Sequence, residues 1–130
     1  MIGPPIVDPP TVPLGQCILV VEDEMLVAMM IKDMLLDLGY RVIMASRAKK
    51  ALDIAATVAI DCAVLDVNVD GAMSYSVAQE LRRRSIPFLF STGYTAANLH
   101  ADYRKTQILS KPYSPQVLKQ AIETALASGR

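Results

Sequence analysis

Cys62-Ala63-Val64-Leu65-Asp66 is a short apolar run that ends on a carboxylate, and a run of this length reads as a buried strand. Three other stretches have the same form. Ile18-Leu19-Val20-Val21 leads into Glu22-Asp23-Glu24, Phe88-Leu89-Phe90 into Ser91-Thr92-Gly93, and Ile108-Leu109-Ser110 into Lys111-Pro112. In a parallel sheet these strand ends project from one edge, the edge at which open α/β sheets bind ligands. Carboxylates from Glu22, Asp23 and Asp66, the Thr92 hydroxyl and the Lys111 ammonium then converge on one pocket. That set suits a hard divalent cation and a phosphoryl group.

The segments between these runs carry a helical period. From Met25 to Leu38, Leu26, Met30 and Met34 form one apolar row and Val27, Ile31, Leu35 and Leu38 the next, which predicts a broad buried face against a sheet. Gly39 stops this helix as a left-handed cap. Arg41–Ala45 is a further strand. Ser46 is placed to cap a helix running to Thr57. Asn68, Asp70 and Gly71 predict a turn, and Ser74 to Arg84 a helix with Val77, Ala78 and Leu81 inward. Gln107–Ser110 is the last strand. Ser114 caps a final helix with Pro115 in its first position, and Val117, Leu118, Ala121, Ile122 and Leu126 give it a buried stripe.

Alternating strands and helices predict an α/β fold, a doubly wound five-stranded parallel sheet covered on both faces. Strand order 2-1-3-4-5 sets Glu22-Asp23 beside Asp66 at the topological switch point. Tyr94 to Lys105 has one strong aliphatic anchor, Leu99, while Asn98 and Asp102 compete with helical backbone bonds. The fourth helix is therefore expected to be short or mobile.

At 130 residues the chain has the size of one domain, and 52% apolar residues suffice for a core. Pro4, Pro5, Pro9, Pro10 and Pro13 exclude a helix or central strand near the N-terminus, so residues 1–15 read as a flexible tail or linker and 16–130 as the domain. Thirteen basic and thirteen acidic residues cancel, which argues against a nucleic-acid or anionic-membrane partner. No apolar run approaches the ~18 residues of a membrane span, and no secretory signal is present. Cys17 and Cys62 lie in apolar strands as small buried hydrophobes, consistent with a cytoplasmic location. His100 has no nucleophile near it in the sequence, and Arg82-Arg83-Arg84 reads as a solvated helix end.

Like charges ~4 Å apart repel by about 1 kcal/mol in water and about 4 kcal/mol at an effective dielectric of 20. Glu22, Asp23 and Asp66 therefore call for a cation among them, and magnesium prefers such oxygen ligands with substrate phosphate as a further one. Lys111 adds a point charge for phosphate oxygens. Pro112 fixes the turn after Lys111 and permits a cis peptide.

With these residues in this order, the chain from Gln16 to Ala127 resembles the receiver domain of two-component response regulators, a CheY-like member of the flavodoxin-like folds. The matching pieces are Val20-Val21-Glu22-Asp23-Glu24, Val64-Leu65-Asp66, Thr92-Gly93 and Lys111-Pro112. The resemblance implies that Asp66 accepts a phosphoryl group from a histidine kinase or histidine phosphotransfer protein. It implies Mg2+ held by Asp23, Asp66 and the Asn68 carbonyl, with Glu22 acting through water, and phosphoryl oxygens held by Thr92 and Lys111. Most receivers carry an aromatic residue where this chain has Ile108. Phe90-Ser91-Thr92-Gly93-Tyr94 is similar to the FATGUY motif of a subgroup without that aromatic switch, with Ser91 in place of Ala. Tyr94 is placed to shield the acyl phosphate from water.

The expected protein is a single-domain regulator or phosphate sink, a monomer or weak dimer that signals through protein contacts and is not a dedicated enzyme. The alternative within the family is a receiver cut from a hybrid histidine kinase. The alternative of another class, an aspartate-nucleophile phosphohydrolase, wants a second Asp where this chain has Asn68.

Overall fold

The computed structural model describes residues 15–69, 71–93, 99–103 and 105–128. The expected N-terminal tail up to residue 14, Asp70 and the Tyr94–Asn98 part of the expected fourth helix lie outside them. The described chain runs β1 (Cys17–Val21), α1 (Met25–Asp37), β2 (Arg41–Ala45), α2 (Ala48–Thr57), β3 (Cys62–Leu65), β4 (Asn68–Val69), β5 (Ala72–Met73), α3 (Tyr75–Arg83), β6 (Phe88–Thr92), β7 (Ile108–Ser110) and α4 (Pro115–Ser128). Five strands form one parallel sheet in the order β2-β1-β3-β6-β7. This is the expected 2-1-3-4-5 arrangement, with the switch point between β1 and β3.

Strand alternation divides the core between two faces. Leu19, Val21, Leu65 and Phe90 pack on one side with Ile54 of α2 and Val77 and Leu81 of α3. Ile18, Val20, Val64 and Leu89 pack on the other with Ile31 and Leu35 of α1 and Leu118 and Ile122 of α4. Every residue of β1 and β3 is buried, as expected for strands covered on both faces.

Helix ends follow local chemistry. Gly39 takes φ +94° after α1, and Ser85 takes φ +58° after α3, where a side chain is less comfortable. The Ser114 hydroxyl oxygen accepts the Val117 N–H at 3.2 Å, capping α4 as the sequence predicts.

Several expectations need correction. α1 buries one row, not two: Leu26 is 83% exposed and Met30 44%, while Ala28, Ile31 and Leu35 are buried. Val27 and Met34 are partly buried against the same core, so of the Leu26, Met30 and Met34 row only Leu26 and Met30 are left facing outward. Val117 is likewise exposed on α4. Arg47, not Ser46, is the N-cap position of α2, and it makes no side-chain capping bond. The turn expected at 68–71 is a small antiparallel hairpin of β4 and β5, in which the Asn68 side-chain oxygen accepts the Gly71 N–H at 3.1 Å.

Arg82 and Arg84 are not merely solvated. The Arg84 guanidinium donates to the Ala55 and Val58 carbonyls at 2.6 and 2.8 Å, tying α3 to the end of α2. Arg82 lies 4.3 Å from the Tyr103 ring centre and donates to the Asp102 carbonyl at 2.9 Å. Among the described residues of the β6–β7 connection, the only regular structure is a 3-10 turn at Ala101–Tyr103. Tyr75 of α3 stacks on Tyr103 at 5.1 Å and its hydroxyl accepts the His100 N–H at 2.8 Å, so α3 anchors this turn.

Candidate functional site

The strand ends that frame the site are held by the sheet itself. The Glu22 N–H donates to the Ala45 carbonyl at 3.1 Å, the Asp66 N–H to the Val21 carbonyl at 2.9 Å, and the Lys111 N–H to the Thr92 carbonyl at 3.1 Å. Each of the three residues follows the last strand residue of its element. The ladder therefore fixes where each side chain leaves the sheet.

The side chains meet as the strand order demands. Lys111 Nζ donates to Glu22 Oε1 at 2.5 Å and to Asp66 Oδ2 at 3.1 Å. Asp66 Oδ1 accepts the Asn68 N–H at 3.3 Å, and Glu22 Oε2 accepts the Glu24 N–H at 3.1 Å. Glu22 and Asp66 are buried, at 3% and 8% exposure, whereas Asp23 lies at the solvent-facing rim. Carboxylate oxygens of Glu22, Asp23 and Asp66 all lie within 4.8 Å of one another. Asp23, Glu24, Asp66, Asn68, Thr92, Gly93 and Lys111 line an open, mostly polar cleft of about 300 Å³ above the sheet edge.

Burial pushes the Glu22 carboxyl above its usual pKa, against the hydrogen bonds from Lys111 and the Glu24 amide that favour its charge. At Lys111, burial disfavours the ammonium, but the bonds to Glu22 and Asp66 outweigh it and raise its pKa above the ordinary lysine value. Lys111 is thus held as a cation between two carboxylates. One ammonium against three clustered carboxylates leaves negative charge in excess. With oxygen ligands only and an open rim at Asp23, the residues present fit a hard divalent cation.

Thr92 is buried at the end of β6 and borders the cleft. Ile108 is half-buried against the α2/α3 side of the core. Pro112 is exposed and its peptide with Lys111 is cis. Tyr94 lies outside the described residues. His100 is exposed, its Nδ1 accepting the Asp102 N–H at 3.1 Å, away from the cleft. Larger open clefts of about 600 and 620 Å³ lie elsewhere, and neither brings clustered carboxylates together.

Two polar residues beside the site escaped the sequence reading as a pair. Ser91 is buried on the α1/α4 side of β6, and its hydroxyl lies 2.8 Å from the Tyr113 hydroxyl. Burial raises the Tyr113 pKa, with the Ser91 bond opposing it. A signal was present: Ser91 alternates with Leu89 on an apolar face, where a hydroxyl needs a partner.

A sequence model of the response regulator receiver domain matches residues 18–123. The probable transcriptional regulator ycf27 of Cyanidium caldarium is 33% identical over 117 residues, 84% of this chain and 45% of that protein. The chain thus spans about half the length of the curated relatives it matches. The solution structure of SdrG from Sphingomonas melonis Fr1 is similar at 34% identity and a TM-score of 0.78, covering 88% of this chain and 99% of that one. The receiver domain of the sensor histidine kinase PA1611 from Pseudomonas aeruginosa PAO1, with magnesium coordinated in its active-site cleft, is similar at 27% identity and a TM-score of 0.72, covering 87% and 98%.

Proposed function

The chain belongs to the response regulator receiver domain family, and from that premise we propose that Asp66 is the phosphoacceptor of a two-component signalling pathway. The observation that carries the proposal is the contact of Lys111 Nζ with both Glu22 and Asp66 at the rim of an oxygen-lined cleft. An Asp66 carboxylate oxygen forms the new bond to phosphorus as the bond from phosphorus to the donor breaks. The donor atom, a histidine nitrogen in a kinase or phosphotransfer protein, leaves with the electron pair and takes up a proton.

Lys111 lies within reach of phosphoryl oxygens added at Asp66 Oδ2 and stabilises the negative charge that develops on them. Thr92, which lines the same cleft, supplies a hydroxyl donor. Asp23, Asp66 and the Asn68 carbonyl would hold Mg2+, with Glu22 acting through water, and the ion would supply further positive charge to the same oxygens. Tyr94 screens the acyl phosphate. Because Ile108 is aliphatic, the signal passes from Thr92 along the chain that follows it, as in the FATGUY-type subgroup.

We propose a protein-contact output for this domain, with no nucleic-acid or membrane partner of its own and a cytoplasmic location. The likeness to the PA1611 receiver favours one further reading, that the chain is the receiver of a hybrid kinase.

The test is intact mass after incubation with acetyl phosphate. Wild type should gain one phosphoryl group with magnesium and none with a chelator, and Asp66→Asn should gain none. A phosphoryl group on Asp66→Asn at wild-type yield would sink the assignment.

A further inference from the structure

We infer that the Ser91–Tyr113 hydroxyl pair is a clamp that positions Lys111 for phosphoryl acceptance, an inference that rests on the phosphoacceptor reading above. The loop after β7 must carry a cation between two carboxylates at 2.5 and 3.1 Å, and only a stiff loop keeps such a geometry. It is tied to β6 at two places. The Lys111 N–H donates to the Thr92 carbonyl at 3.1 Å. Two residues further on, the Tyr113 hydroxyl meets the Ser91 hydroxyl at 2.8 Å. Ser91 and Thr92 are neighbours on a buried strand, so both ties share one rigid base.

The pair also has no other explanation in the core. Ser91 is 1% exposed on a face otherwise filled by Leu89, Leu109 and Leu118. A hydroxyl there contributes less to packing than a small apolar side chain, unless its bond does something. Tyr113 lies along the same face, half-buried, with its ring against that core and its oxygen turned to Ser91. Its ring also lines a small apolar cavity of about 200 Å³ together with Lys111, Pro112 and Met30. Without the hydroxyl bond, the ring could slide toward that space and take the Lys111 backbone with it. Positional errors of about an ångström are enough to slow a charge-stabilised transfer.

The pair is a positioning device, and its signature is that stability and rate separate. Tyr113→Phe leaves the Ser91 hydroxyl buried without its partner and should lower the urea midpoint. Ser91→Ala with Tyr113→Phe removes both hydroxyls and should bring the midpoint back close to wild type. The rate of Asp66 phosphorylation by acetyl phosphate with magnesium should nevertheless stay ~3- to 10-fold below wild type in the single and double variants alike, less than the ~100-fold that a full ångström of misplacement can cost. In a Lys111→Ala background, Tyr113→Phe should change the remaining rate by less than ~1.5-fold, because the clamp acts only through that ammonium.

Recovery of rate together with midpoint in the double variant overturns the inference and leaves the pair as ordinary core polarity. So does a further several-fold loss from Tyr113→Phe when Lys111 is already absent. A wild-type protein that takes no phosphoryl group overturns the phosphoacceptor reading and the clamp with it. A phosphorylated wild type with unaffected variants overturns the clamp alone.

Discussion

α3 and α1 cover opposite faces of one sheet, and they differ in what they leave outside. α3 buries Val77, Ala78 and Leu81 and turns Glu80, Arg82 and Arg83 away from the sheet. Its periphery is then bound down, by Arg84 on the α2 carbonyls and by Arg82 and Tyr75 on Tyr103. α1 buries Ala28, Ile31 and Leu35 but exposes Met25, Leu26, Met29, Met30 and Leu36. Folding accounts for every apolar residue named on α3. It leaves the outer row of α1 without a role inside the domain, and that row begins beside the acidic mouth. Exposed apolar side chains cost little singly, and whether these act together is what substituting Leu26 and Met30 jointly measures. The small cavity between α1 and the Lys111 loop, lined by Val27, Met30, Ile31 and Tyr113, continues the same surface.

The comparison is broken most easily by a pair of equal truncations. Leu81→Ala removes a fully buried side chain between α3 and the sheet and should cost about 2–5 kcal/mol. Leu26→Ala removes the same atoms from a site that is 83% exposed and should change stability by less than ~0.5 kcal/mol. Urea midpoints at unchanged m-value measure both. A cost above ~2 kcal/mol at Leu26 would mean that α1 is covered within the folded protein and that the two faces do not differ.

The same contrast explains what could be read from the sequence. Strand ends were legible because a buried strand leaves only apolar letters, so the first polar letter marks the edge: Asp66 and Glu22 emerged this way, Lys111 follows a single polar strand residue, Ser110, and the sheet order brought all three together. α3 was legible because its apolar letters are few and all point inward. α1 was misread because period alone cannot separate an apolar row that faces a sheet from one that faces solvent. Leu26 and Met30 repeat as regularly as Ile31 and Leu35. Ser91 and Tyr113 stayed hidden as a pair because their contact joins residues on two different elements. Ser85 was hidden for the opposite reason: the backbone enters the left-handed region at a residue that does not advertise it, whereas Gly39 does.

A smaller effect sharpens the comparison at the rim where α1 begins. Asp23 precedes α1 and has a carboxylate oxygen within 4.8 Å of those of Glu22 and Asp66. With magnesium removed, Asp23→Asn should raise the urea midpoint by an amount equivalent to about 1 kcal/mol, since it relieves repulsion in a site only partly shielded from water. With magnesium present the order should reverse, because the variant binds the ion less tightly and gains less from it. A lower midpoint for Asp23→Asn in chelator would show that Lys111 already balances the cluster. The acidic start of α1 would then be no more strained than the ends of α3.

The smallest expected effect on stability is the one that decides what the outer row of α1 is for. Leu26→Gln with Met30→Gln exchanges two exposed apolar side chains for a residue of similar helix propensity, so the folded state should lose less than ~0.5 kcal/mol. Phosphorylation by acetyl phosphate should be unchanged, since a small donor enters the cleft without touching α1. A protein donor is different: its phosphohistidine must come within bonding distance of Asp66, and its body must then rest on the surface around the cleft. Covering one exposed leucine or methionine contributes roughly 1.5–3 kcal/mol. The double substitution should therefore lower kcat/KM for phosphotransfer from a phosphorylated histidine kinase or phosphotransfer protein by about tenfold or more. An equal loss with both donors would place the defect in the site and not in docking. No loss with the protein donor would remove α1 as its seat, leaving the exposed row unexplained and the two helices distinguished by burial alone.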